Sequence, residues 1–123
     1  MSTKKALVVD DDPVAQEEIG RELRAFGADV DTASNLQEAS RHLEEKRYDL
    51  VISGNSMPDL DQGVELLAYV RKESGLNKKT RFILNTDKDS RALQQRVKEL
   101  GGWYRSKNSV NVSVLNLVVV GLE

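Results

Sequence analysis

The sequence predicts a single α/β domain, a doubly wound parallel sheet built from five strand–helix repeats. Short, continuous apolar runs such as Ala6–Val9 and Leu50–Ile52 are typical of strands that are buried on both faces of a parallel sheet. Longer segments between the runs carry apolar residues at helical spacing, which is typical of helices packed on a sheet. At 123 residues the chain can form one core of its own, so we expect residues 1–123 to be one domain.

The composition excludes several classes of function. A formal net charge of −2 gives no basic surface for nucleic acid or for an acidic membrane. The absence of cysteine excludes disulfides, thiol catalysis and zinc sites built on cysteine. No apolar run approaches the roughly 20 residues of a membrane span, and the polar start Met1–Lys5 is not a signal peptide. We therefore expect a cytoplasmic protein with no nucleic-acid partner and no membrane partner.

The first half of the chain predicts two strand–helix repeats. Asp12 can cap the first helix, Pro13 suits its first turn and Gly27 suits its end. We expect four apolar residues of this helix to be buried: Val14, Ile19, Leu23 and Phe26. Ala28–Thr32 alternates small or apolar residues with aspartates, as a half-exposed edge strand does. Ser34–Gln37 resembles a capping box and predicts the start of the second helix.

The second half continues the alternation of strands and helices. After Leu50–Ile52 the expected elements are a helix over about Gln62–Glu73, a strand at Arg81–Leu84, a helix over Ser90–Leu100 and a strand at Trp103–Ser106. The last segment, Val110–Val120, is ambiguous. Its β-branched alternation favours a strand, while other apolar spacings suit one face of a helix. The regular alternation upstream favours a fifth helix.

Polar residues follow the buried strands at the edge where parallel strands present their carboxyl ends. They are Asp10–Asp12, Ser53–Gly54, Asn85–Thr86 and Lys107. Open α/β sheets bind ligands at this edge, and carboxylates with a hydroxyl and an ammonium suit Mg²⁺ and a phosphoryl group. Neither glycine-rich phosphate loop is present. The single histidine, His42, is expected on a polar helix face and supports neither a metal cluster nor a catalytic triad.

Together these motifs resemble the receiver domain of two-component response regulators. The resembling stretches are Leu7–Pro13, Tyr48–Ile52, Met57–Asp61, Phe82–Thr86, and Tyr104 with Lys107. They span essentially the whole chain in the family's order and spacing. The resemblance implies a flavodoxin-like, CheY-like fold with strand order 2-1-3-4-5 and a role in phosphorelay signal transduction.

The resemblance also implies roles for individual residues. Asp10 and Asp11 match the family's acidic pair, which helps to hold Mg²⁺. Thr86 matches the switch hydroxyl, Tyr104 the switch aromatic residue and Lys107 the invariant lysine. A second interpretation stays open for the acidic pair, which could be only a helix-start cluster held by the lysine and water. Thr86 and Tyr104 could likewise be plain structural residues.

One position departs from the family in a way that decides the predicted function. The phosphoacceptor aspartate lies four residues before Pro58, and here that position is Gly54. Glycine has no nucleophile, so an aspartyl phosphate cannot form there. We therefore expect Gly54 to be a non-functional acceptor position and the protein not to be an enzyme. We expect no cofactor beyond weakly bound Mg²⁺, because the site lacks one anionic ligand.

The predicted function is that of a pseudo-receiver, a signalling module that binds protein partners without being phosphorylated at the usual position. The resemblance implies a partner face made of the fourth helix, fifth strand and fifth helix, at about Ser90–Leu100, Trp103–Ser106 and Ser109–Val120. A homodimer stays open. One alternative is a receiver phosphorylated at a substitute acceptor, either Asp11 or Ser53. The other is a module that binds a small ligand or anion at the rim, in the space that the missing side chain leaves.

Overall fold

Five parallel strands form one sheet in the order β2-β1-β3-β4-β5, which confirms the predicted fold class and strand order. The computed structural model describes residues 4–54, 62–86 and 90–106. The strands are β1 (Lys5–Val9), β2 (Asp29–Ala33), β3 (Leu50–Ser53), β4 (Arg81–Thr86) and β5 (Trp103–Ser106). The helices are α1 (Pro13–Ala25), α2 (Leu36–Glu45), α3 (Gln62–Lys72) and α4 (Arg91–Glu99).

Two predictions lie outside the described residues, namely the fifth helix over Val110–Val120 and the position of Lys107. Within the described ranges, no helix is long and apolar enough to cross a membrane.

The core residues of the described ranges form two clusters, one on each face of the sheet. On one face, alternate strand residues such as Leu7, Val51 and Phe82 pack with α2, α3 and α4. On the other face, Val8 and Ile52 pack with α1. Because the central strands are buried on both faces, their sequences are continuously apolar rather than alternating. The sheet is thus held rigidly, and it fixes the positions of the residues at its two ends.

The structure corrects the predicted buried face of α1. Ile19 and Leu23 are buried as expected, but Val14 is 61% exposed and Phe26 is 46% exposed. Val14 lies about 140° around the helix from Ile19, at the 3.6-residue period of an α-helix. Phe26 is the C-cap, beyond the last helical residue, and Gly27 turns the chain with a φ of 87°. Apolar residues at both ends of the helix therefore lie outside its packed face.

Side-chain caps fix where the helices begin. Asp12 caps α1 as predicted, because its Oδ1 accepts a hydrogen bond from the Val14 N–H at 3.0 Å. The cap of α2 is Asn35, whose Oδ1 accepts from the Glu38 N–H at 2.9 Å. Glu38 in turn accepts from the Ser34 N–H at 3.1 Å. The expected box at Ser34–Gln37 is therefore shifted by one residue, since asparagine caps the helix as well as serine does.

Candidate functional site at the carboxyl ends of the strands

The acidic turn after β1 is held by hydrogen bonds from three directions. Asp10 is only 4% exposed, and its backbone N–H donates to the Ala33 carbonyl at 3.0 Å. Its Oδ1 accepts from the Asp12 N–H at 3.0 Å. The Gln16 side-chain amide donates to the Asp10 carbonyl and ties the turn to α1. Asp11, by contrast, is exposed. The acidic pair is thus split into one fixed carboxylate and one that faces solvent.

Gly54 lies directly beside the fixed carboxylate. Its N–H donates to the Val9 carbonyl at 2.8 Å, which continues the pairing of β3 with β1. A Cβ atom at this position would lie 3.2 Å from Asp10 Oδ2 and 3.9 Å from the Asn85 carbonyl oxygen. A side chain on residue 54 would therefore emerge between β1 and β4, against Asp10. The sheet brings Asp10, Gly54 and Asn85 together, as the strand order predicts.

Thr86 and Tyr104 lie on the two strands at the other side of the same edge. Thr86 is buried and ends β4, in register with Ser106 of β5. Tyr104 is in register with Leu84 and packs against the larger core cluster. Lys107 follows the end of β5 and lies outside the described residues. Four predicted site residues, Asp10, Asp11, Gly54 and Thr86, therefore lie at the carboxyl end of the sheet. Tyr104 lies two residues before the end of β5.

Arg105 lies next to the site, although the sequence gave no indication of this contact. Its Nη1 donates to Asn85 Oδ1 at 2.9 Å, so it connects β5 to the residue before Thr86. Burial lowers the pKa of the Arg105 guanidinium, and the negative charge of Glu22 partly offsets that effect. An arginine inside a short strand carries no sequence signal for this contact. Only the pairing of β4 with β5 brings the two side chains together.

The described part of this edge supplies few oxygen ligands for a magnesium ion. Mg²⁺ requires near-octahedral oxygen coordination, usually from one or two carboxylates with waters and phosphate oxygens. Among residues 4–54, 62–86 and 90–106, no three His, Cys, Asp or Glu side chains are grouped so that they could hold a metal ion. Gly54 adds no ligand where it faces Asp10. The acidic turn thus contributes one buried carboxylate, Asp10, and one exposed carboxylate, Asp11.

Comparison with known proteins gives a consistent result. The family model of the response regulator receiver domain matches residues 6–105. A probable chemotaxis protein CheY of Rhizobium etli is 33% identical over 98 residues, which cover 79% of this chain and 74% of that protein. The chemotaxis response regulator CheY4 of Vibrio cholerae has a similar structure, with a TM-score of 0.85 and 27% identity over 98% of this chain and 100% of that one.

Some other relatives are much longer than this chain. The two-component response regulator ARR11 of Arabidopsis thaliana is 40% identical over 74 residues, which are 58% of this chain and 14% of that protein. The chain therefore corresponds to only a small part of such a regulator.

Proposed function

The chain belongs to the response regulator receiver domain family, and we propose that it is a protein-interaction module whose signalling does not depend on phosphorylation of residue 54. Receiver domains are signalling modules that act on partner proteins. The observation that supports the proposal is Gly54, where a Cβ would lie 3.2 Å from Asp10 Oδ2. The resemblance to the family assigns the reacting carboxylate to this position. Without that carboxylate no acyl phosphate can form at this position.

The acidic turn supports the proposal because its buried member has a local partner. Asp10 accepts a hydrogen bond from the Asp12 N–H at the start of α1, so part of its charge is satisfied without a cation. With no second carboxylate on residue 54, electrostatic repulsion around Asp10 is also lower. Asp10 and Asp11 then act chiefly in helix initiation, and Mg²⁺ binds weakly.

The second candidate function is that of a receiver phosphorylated at a substitute residue. The two possible acceptors, Ser53 and Asp11, differ in their exposure to solvent. The Ser53 side chain is fully buried, and its hydroxyl donates to the Gly54 carbonyl at 2.8 Å. That environment disfavours attack on a donor in solvent. Asp11 is exposed, so it is the acceptor that this candidate requires. In-line attack also needs alignment with the remaining site groups, which an exposed side chain does not provide by itself.

Anion binding at the rim is disfavoured by charge. Thr86 and Lys107 are the groups that would receive an anion there, but Asp10 and Asp11 lie at the same edge. A phosphate at the rim would be repelled by both carboxylates.

The described part of the proposed partner face is basic and partly aromatic. Arg91, Arg96 and Lys98 are exposed on α4, and Trp103 of the edge strand β5 is also exposed. Aromatic and arginine side chains are enriched where proteins bind each other, and opposite charges steer the partners together. An acidic protein surface is therefore the partner that suits this face.

The test is a phosphorylation assay on the full chain. Wild-type protein, Asp11→Asn and a phosphorylation-competent receiver as positive control are incubated with acetyl phosphate and Mg²⁺, then measured by intact mass spectrometry. We expect the control to gain one phosphate and the wild type to gain none. A stoichiometric adduct on the wild type would overturn the proposal, and its loss in Asp11→Asn would establish the substitute acceptor.

A further inference from the structure

We propose that the opposite edge of the sheet carries a binding site for a small phosphate-bearing anion of the pyrophosphate type. The amino ends of β3 and β4 border a cavity of about 490 Å³, within the size range of small-ligand sites. Its lining residues are Arg47, Tyr48, Asp49, Gly75, Leu76, Lys78, Lys79, Thr80 and Arg81. This site is independent of the acidic turn and does not rest on the function proposed above.

The charge of the lining favours an anion. It contains four cationic side chains and one carboxylate, in a chain whose formal net charge is −2. The single carboxylate, Asp49, already accepts a hydrogen bond from the Lys5 backbone N–H at 2.8 Å. The lining of this cavity is therefore basic although the chain as a whole is slightly acidic.

Three of the four cations form no ion pair with any described residue. Arg47, Lys78 and Lys79 make no side-chain hydrogen bond or ion pair with any described residue. The adjacent Lys46 differs, because its ammonium lies 3.1 Å from Asp31 Oδ2. The fourth cation, Arg81, lies over the Trp103 ring at 5.8 Å from its centroid. Like charges gathered around a cavity repel one another, and a multivalent anion would relieve that repulsion.

The walls of the cavity are held by hydrogen bonds that do not involve the four cationic side chains of the lining. The fully buried Asn77 accepts from the Tyr48 N–H at 2.7 Å and donates to the Leu43 carbonyl at 2.7 Å. The Arg71 guanidinium donates to the carbonyls of Lys78 and Thr80, at 3.1 Å and 2.7 Å. The loop between α3 and β4 is thus fixed before any ligand binds. A site that is already ordered loses less entropy on binding.

The lining favours a phosphate group over an aromatic base. Tyr48, the only aromatic residue among the described lining residues, is 3% exposed, and its hydroxyl donates to Asp31, which is not part of that lining. No ring of the lining is therefore presented for stacking. Arginine and lysine side chains do bind phosphate oxygens through charge-assisted hydrogen bonds. Inorganic pyrophosphate is accordingly the minimal probe of the site.

The experiment is isothermal titration of the full chain with inorganic pyrophosphate in metal-free buffer at low ionic strength. We expect saturable binding at one site, weakened at least tenfold in the double variant Lys78→Gln/Lys79→Gln. The matched control is Arg21→Gln/Arg41→Gln, which removes the same charge from exposed positions on α1 and α2 outside the cavity. We expect the control to bind as the wild type does. Thermal melting of both variants checks that the fold is intact.

Several results would overturn the proposal. One is no saturable binding by the wild type at millimolar pyrophosphate. Another is an equal loss of affinity in both double variants, which would indicate general charge attraction rather than a site. A glutamate-rich peptide that bound this cavity while pyrophosphate did not would identify the surface as one for acidic proteins instead.

Discussion

Because residue 54 is glycine, it adds no negatively charged side chain beside Asp10. A carboxylate built on a Cβ only 3.2 Å from Asp10 Oδ2 would bring two negative charges close together. Two unit charges about 4 Å apart repel by roughly 4 kcal/mol at an effective dielectric constant of 20. With glycine, residue 54 places no carboxylate beside Asp10, which accepts a hydrogen bond from the Asp12 N–H. We therefore expect the turn to be stable without a bound cation.

We expect Gly54→Asp to make the stability of the protein depend on Mg²⁺. Without metal the new carboxylate repels Asp10 and should lower the free energy of unfolding by about 1–3 kcal/mol. Mg²⁺ binds between the two carboxylates and should recover much of that loss. The measurement is thermal melting in EDTA and in millimolar MgCl₂.

The matched control for this change is Gly54→Asn, which adds a side chain of similar size without the charge. It should show the steric cost, because the Cβ lies close to Asp10 in both variants, but no recovery with Mg²⁺. Equal melting of Gly54→Asp with and without the metal would contradict the argument.

At the scale of the elements, one cluster joins the edge strand β2 to the segment before β3. Asp31 Oδ2 accepts from the Tyr48 hydroxyl at 2.7 Å and from the Lys46 ammonium at 3.1 Å. Burial tends to raise the pKa of Asp31, but these two hydrogen bonds and the nearby positive charge outweigh it, so the pKa is lowered from its usual value. Burial and the bond to Asp31 raise the pKa of Tyr48, which stays protonated. The cluster thus stabilises the folded state only while Asp31 is ionised.

We expect Asp31→Asn to lower the free energy of unfolding by about 1 kcal/mol at pH 7, the usual contribution of such a hydrogen bond. A carboxyl group whose pKa is lowered in the folded state stabilises fully above its unfolded pKa, which is about 3.9. That contribution is lost as the pH falls through the folded pKa. The difference in the free energy of unfolding between variant and wild type should therefore shrink below about pH 4. Urea unfolding from pH 7 to pH 3 measures this difference.

The control for this prediction is Asp29→Asn, on the same strand. Asp29 is exposed, and its side chain has no hydrogen bond or ion pair to another described residue. Asp29→Asn should leave the free energy of unfolding nearly unchanged at every pH. If the loss of stability in Asp31→Asn stays constant down to pH 3, the charge of Asp31 is not the cause of that loss.

The strands and the side-chain contacts between them differ in how far the sequence predicts them. Strand positions and the meeting of Asp10 with Gly54 follow from local hydrophobic patterns and parallel pairing, and the structure confirms them. Side-chain bonds between distant segments do not follow from such patterns. Asn77 contacts Tyr48 across 29 positions, and Arg105 contacts Asn85 across 20. Both depend on the folded arrangement of strands, so composition and spacing gave no sign of them.

At the scale of the whole molecule, the sheet separates two chemically different edges. The acidic turn and Gly54 lie at the carboxyl ends of the strands, and the basic cavity lies at their amino ends. β3 and β4 are 4 and 6 residues long, so the edges are roughly 13–20 Å apart at about 3.3 Å per residue. Salt in ordinary buffers screens exposed charges over about 8–10 Å. The two edges should therefore respond to substitution independently.

Combining the substitutions at the two edges tests that independence. In metal-free buffer with about 0.15 M salt, where charges are screened over about 8 Å, Gly54→Asp should bind pyrophosphate as tightly as the wild type, because its new charge lies at the far end of β3. The stability effects of Gly54→Asp and of Lys78→Gln/Lys79→Gln should add to within about 0.5 kcal/mol, as substitutions more than 7–10 Å apart usually do. Titration and urea unfolding of the single-edge and combined variants measure both quantities. A change in pyrophosphate affinity of more than about threefold in Gly54→Asp, roughly 0.65 kcal/mol, would show that the sheet transmits changes between its edges. The receiver fold would then transmit a change at residue 54 through β3 and β4 to the basic cavity.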